Sequence, residues 1–287
     1  MSVNLLFYIF FIAQIFLISY YFPRKVIQKV DELLKRFPAT DYPKLYPQSV
    51  DKVIKGQWIF TLLNQIILVV GLVLLFAYGL LSTEYDENQK HTEGLPIFYG
   101  MLQFSPYILM ELAGFKQFKL MKSNDQRKSR TADLQPRRLF DFVSPLLLIS
   151  AVLIGIAYFV FELYVNNFTL NAEIIPKFIA IVLCNSLFIV LTLRNLYGKK
   201  LDPFQANKDR LRQICFATNS MVKISIIASL FFTITTATEV FNLAHFEVIF
   251  NSLYFQAIAF MGLGSTLQAM NLDEIDFEVY KESNVTN

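Results

Sequence analysis

Seven apolar runs alternate with connectors of opposite charge character, and no other feature of the chain constrains its fold as strongly. The runs are Asn4–Phe22, Trp58–Leu81, Leu95–Phe115, Phe142–Val165, Ile174–Leu193, Ala217–Val240 and Val248–Met270. Each is close to the roughly 20 residues that a helix needs to cross a bilayer core of about 30 Å. The third is the least apolar. Three connectors, 22–57, 116–139 and 194–216, hold eight, eight and six Lys/Arg, together 22 of the 26 in the chain. The intervening ones are acidic or neutral: Glu84, Asp86, Glu87 and Glu93 stand against Lys90 in one, and Asn166–Glu173 and Phe241–Glu247 have no Lys or Arg.

The positive-inside rule places the basic connectors in the cytoplasm. Seven spans then put the N-terminus outside and the C-terminus inside. The acidic tail does not oppose this, because Asp and Glu contribute little to the rule. The first run has no basic segment before it and no small-x-small cleavage site, so it reads as an uncleaved helix. The expected fold class is all-α, a polytopic transmembrane helical bundle of about seven spans. Residues 1–287 form a single integral membrane domain, expected in a bacterial inner (plasma) membrane. Composition agrees. The chain is 54% hydrophobic and 17% charged, whereas soluble domains have about 45–50% and about 25%.

The expected partners are the lipid bilayer and, at the basic connectors, anionic lipids, worth about 1 kcal/mol per charge near the surface. No nucleic-acid partner is expected, and oligomeric state is not legible. With only two His and two Cys, the chain has too few ligands for His-rich metal chemistry or an HExxH zinc site. GxSxG, P-loop and GxGxxG motifs are absent. No cofactor or metal is expected, and catalysis is not the favoured reading. Cys184 and Cys215 are expected to be free thiols.

Polar residues inside a span are costly in lipid, so they face protein or water. In the third run Gln103, Tyr107 and Glu111 recur every four residues, with Pro106 removing a backbone donor among them. Asn64 in the second run, Asn185 in the fifth and Asn251 in the seventh carry amides that need partners. These six residues form the candidate ligand-binding set. Glu111 has two readings, an interior carboxylate or an ion pair with Lys116 near the interface. Ser225, Ser229, Thr233 and Thr236 share one stripe of the sixth run, better read as helix packing than as a pathway. Asp141 follows Arg137 and Arg138 at ion-pair spacing. Residues 26–37 are amphipathic at helical spacing and predict a helix lying in the interface. Asp41-Tyr42-Pro43 and Asp202-Pro203 hint at repeated hairpins. The expected function is a small transporter or channel for a cationic or proton-coupled small solute. The alternative is a non-catalytic membrane assembly factor, sensor or complex subunit.

Overall fold

The computed structural model describes residues 3–81, 94–125, 127 and 136–282. Most of the acidic loop with His91, and the middle of the second basic connector, lie outside the described residues. Every regular element described is helical. Helix α1 covers Val3–Phe16, passes through a π-turn at Leu17–Tyr21 and continues over Phe22–Arg36. Then follow α2 (Val50–Leu81), α3 (Leu95–Asn124), α4 (Pro145–Val165), α5 (Ile174–Tyr197), α6 (Asn207–Val240) and α7 (Glu247–Ala269). One helix grows from each apolar run. All but α3 are long and apolar enough to cross a membrane. In α3 the polar Gln103, Ser105, Glu111 and Lys116 dilute a helix whose 30 residues reach about 45 Å.

The outer surface is a belt of large apolar side chains, among them Phe76, Phe98, Leu146 and Leu183. Lipid solvates such a belt, whereas water would not. Inside it the helices form two groups. Helices α1, α2, α3 and α7 pack together, and α4 and α5 each pack mainly on α6. The α6–α7 contact joins the groups. There Phe231 stacks on Tyr254 at 4.1 Å, and Ser220 donates to the Met261 carbonyl at 3.1 Å. Only 11% of the most apolar window of α4, and of α5, is buried, against 28–39% for the other four membrane-length helices.

Residues 26–37 do not form a separate interfacial helix. Their helical part is the far half of α1, unbroken through Pro23. Proline here lies in the first turn after the π-turn, where the hydrogen-bond register has already shifted. Its apolar face is covered by protein. Leu33 and Phe37 pack on a core of Met121, Phe204, Leu272, Phe277 and Tyr280. That core belongs to a cap built from all three basic connectors and the acidic tail at one end of the bundle. Phe37 stacks on Phe277 at 3.7 Å. The cations of Lys44 and Arg127 lie over the Phe204 ring at 5.8 and 4.7 Å. Asp202, buried, accepts from the backbone N–H groups of Phe204 and Gln205 and from the Tyr280 hydroxyl. Asp41 is exposed, so the two Asp turns are not used alike. Arg36 pairs with Asp273 at 2.5 Å, and Arg212 pairs with Glu274.

Ser144 caps α4 by accepting from the Leu147 N–H at 3.2 Å, with Pro145 as the first helical residue. Asp141 accepts from the Arg138 backbone N–H at 3.0 Å, so its carboxylate serves a turn. Cys184 and Cys215 are free.

Two predictions follow from this packing. A Cβ on Gly100 would lie 2.5 Å from the Phe255 ring, whereas one on Gly264 would meet nothing within 4 Å. Thermal unfolding in detergent should show Gly100→Ala losing about 1–3 kcal/mol through overpacking. Gly264→Ala should lose nothing and serves as the control. In the tail, the Asn271 side chain and then Arg212 hold the Glu274 carboxyl below its usual range. A carboxyl depressed in the folded state stabilises docking above its ordinary value, and that contribution fades as pH falls through the depressed one. A spin label at position 282 should therefore become more mobile below about pH 4, and an unchanged spectrum down to pH 3 would refute this.

Candidate functional site

Helix α1 carries a backbone irregularity whose cause is visible in the sequence. In the π-turn the Phe22 N–H donates to the Leu17 carbonyl, five residues back. In that register the next donor, to Ile18, would be residue 23. Residue 23 is proline and has no N–H. The Tyr107 hydroxyl of α3 takes its place, donating to the Ile18 carbonyl at 2.8 Å. One turn earlier, Gln103 Nε2 donates to the Gln14 carbonyl at 3.2 Å and to Ser19 Oγ at 2.9 Å. Gln14 returns the contact, with Nε2 donating to Gln103 Oε1 at 3.0 Å and to the Pro96 carbonyl at 3.3 Å.

Helix α3 has its own irregularity opposite this one. Pro106 cannot donate to Leu102, and the Ser105 hydroxyl does so at 2.7 Å. The Tyr99 hydroxyl donates to the Ile67 carbonyl of α2 at 2.9 Å, over the Cβ-free surface of Gly71. The result is a knot of amides and hydroxyls (Gln14, Ser19, Tyr99, Gln103 and Tyr107) between α1, α2 and α3. Every member is buried, and Gln14 and Gln103 have no exposed surface at all.

Of the six candidate residues, Gln103 and Tyr107 sit in this knot. Asn64 is buried on the face of α2 that carries Phe60 and Ile67, whose neighbours are Tyr107 and Tyr99. Its Nδ2 donates to the Phe60 carbonyl at 2.7 Å. Gln14 Oε1 and Asn64 Oδ1 accept no hydrogen bond among the described residues. Asn251 is buried on α7. Asn185 belongs to the other helix group. It accepts from Ser225 and donates to Ser229 at 3.3 Å, fastening α5 to α6. The Ser/Thr stripe of α6 is thus partly explained by packing.

Glu111 is exposed on α3 and does not share the buried face of Gln103. Eight residues advance a helix by about 80° beyond whole turns, enough to carry the third member of the stripe off the packed face. Two surface clefts, of about 340 Å³ beside Tyr8 and Phe76 and about 180 Å³ beside Lys25 and Leu267, touch none of the six residues.

Two features are not prominent in the sequence. Gln14 and Ser19 stand in a run so apolar that they look incidental, although a glutamine mid-span always needs partners. Glu162, on α4, is only 1% exposed. It accepts from the Thr236 hydroxyl at 2.5 Å and pairs with Lys177 at 3.2 Å, and Lys177 also reaches Glu239 at 2.7 Å. Its signal was a charged residue, Glu162, Lys177 or Glu239, at the same end of each of three successive runs, the end bearing the acidic or neutral connectors.

Tyr107→Phe strands the Ile18 carbonyl in the interior, and the purified variant should lose about 1–3 kcal/mol of stability. Gln14→Leu and Gln103→Leu should each destabilise, and the double variant should lose about 1 kcal/mol less than the sum. Additive losses would show that the two amides do not interact. Comparisons with family models, curated proteins and solved structures found no match for this chain.

Proposed function

We propose that the protein is a small membrane transporter or channel for a cationic or proton-coupled small solute, whose pathway opens between α1 and α3. The observation that supports this is the meeting of two interrupted helices at one buried polar knot. The π-turn of α1 faces Pro106 of α3, and side chains from α3 cover the α1 carbonyls of Gln14 and Ile18. Interrupted helices present backbone oxygens to substrates in transporters, and π-turns recur at functional sites. Gln14 Oε1 and Asn64 Oδ1 add acceptors without donors among the described residues. A set of neutral oxygens suits a partly dehydrated cation or a protonated amine. On this reading Gln103 and Tyr107 are the gate, Asn64 and Asn251 line the interior beside it, and Asn185 braces the second helix group. Exposed Glu111 has no part.

The capped, basic end is assigned to the cytoplasm on the charge rule, and the bacterial inner membrane is part of the same proposal. Anionic headgroups would then lie beside Lys25 and Lys29. A cysteine at position 281 should react with an impermeant maleimide only after the membrane is opened. Reaction in intact cells would invert the assignment.

Protein in liposomes should carry an alkali cation or a small alkylammonium ion down its gradient. Gln14→Ala and Gln103→Ala should reduce that flux at least tenfold, and Glu111→Gln should leave it unchanged. Flux no greater than in empty liposomes would reject the transport reading. The slight burial of α4 and α5 favours a second reading, a non-catalytic assembly factor or complex subunit that seats a partner helix there. Capture in mild detergent of one stoichiometric membrane partner would support it, and a lone monodisperse particle would count against it.

A further inference from the structure

Glu162 stands apart from the knot, in the other helix group and near the opposite end from the cap. A carboxylate this deeply buried in a membrane-length helix is costly, and such a residue is a functional-site candidate by default. Its surroundings are more than a salt bridge. Glu162 has three polar neighbours: Thr236 of α6, Lys177 of α5, and Tyr158 one turn earlier on α4. The Tyr158 side chain has no exposed surface, and its hydroxyl makes no hydrogen bond among the described residues. The Thr236 side chain lies within reach of that hydroxyl without meeting the geometry of a hydrogen bond, and the carboxylates Glu162 and Glu239 act on it electrostatically. A buried hydroxyl without a partner is destabilising, and a cation bound against its oxygen would relieve that cost.

The counter-ion is held in a way that permits exchange. Lys177 is one-third exposed, and its second partner, Glu239, is more than half exposed. The ammonium can leave Glu162 and remain paired with the exposed Glu239. It would vacate one charge beside a carboxylate and two hydroxyl oxygens.

We propose that Glu162, Thr236 and Tyr158 form a binding site for a dehydrated monovalent metal cation, with Lys177 as the internal ammonium that the cation displaces. The charge balance selects valence, because one positive charge replaces another beside Glu162. The donor set of one carboxylate and two hydroxyls is hard oxygen, which suits alkali cations rather than zinc or copper. The titratable groups facing the site are Glu162 and Tyr158 on α4, Lys177 on α5 and Glu239 on α6. This site is independent of the α1–α3 pathway and would stand if no flux were found.

The test is thermal unfolding of the full-length protein in detergent, in lithium, sodium, potassium or choline chloride at equal ionic strength. At least one alkali cation should raise Tm saturably over choline, by about 3 °C at a tenfold excess over its dissociation constant. Glu162→Gln should abolish the difference. Tyr158→Phe removes only the unpartnered hydroxyl, so it should fold, melt in choline at least as high as the parent, and bind the cation several-fold more weakly. Equal melting in all four salts would overturn the proposal. A Tyr158→Phe response identical to the parent's would overturn it too, and that arm stands even if Glu162→Gln cannot be purified.

Discussion

A carbonyl oxygen left bare in hydrocarbon is among the most costly defects a membrane helix can carry, and this bundle is arranged around avoiding it. Pro23 and Pro106 each delete a donor. The chain answers the first with a side chain from another helix, Tyr107, and the second locally, with Ser105. The difference matters. A local repair leaves α3 self-sufficient, whereas α1 is satisfied only while α3 lies against it. The registry of α1 on α3 is therefore set by hydrogen bonds, in an environment where apolar packing alone discriminates poorly between neighbouring registers. Gln103 and Gln14 reinforce the same registry one turn away.

The cap extends this logic outside the hydrocarbon. Its apolar core draws side chains from every basic connector, four of them from the first, so the ends of α1, α3 and α6 are tied where lipid packing no longer helps. The tail supplies carboxylates to Arg36 and Arg212. Such exposed pairs add little stability singly. Their larger effect is to neutralise a surface crowded with like charges, so that the connectors can approach one another at all. Among the described residues the two ends thus differ: one is a folded cap with a core, and the other carries charges near the helix ends, Glu162, Lys177 and Glu239 among them.

The helices were legible because about 20 apolar residues admit few other fates in a bilayer. The inward face of α3 was legible too, from Gln103, Tyr107 and the proline between them. What lay opposite was not, since no periodicity in residues 95–115 points to Gln14 or to a π-turn in α1. Residues 26–37 were legible as an amphipathic helix but not in their setting, because lipid headgroups and the side chains of a distant tail offer the same apolar cover. The cap escaped the sequence reading for that reason. Its core is assembled from segments as far apart as Leu33 and Tyr280, each too short to announce itself.

Glu111 and Glu162 show where single-helix reasoning stops. Both are carboxylates in an apolar run, and Glu111 attracts attention because it completes a stripe that recurs every four residues. The stripe drifts, however, and by its third member it has left the packed face for the surface. Glu162 has no stripe. Its burial is tolerable only because Lys177 and Thr236 come to it from two other helices. A carboxylate's place in a membrane protein is decided by whether a cation can be brought to it at bearable cost. That is a property of three helices together, and it could be read from the chain only by matching charges across successive runs at the same end of the bundle.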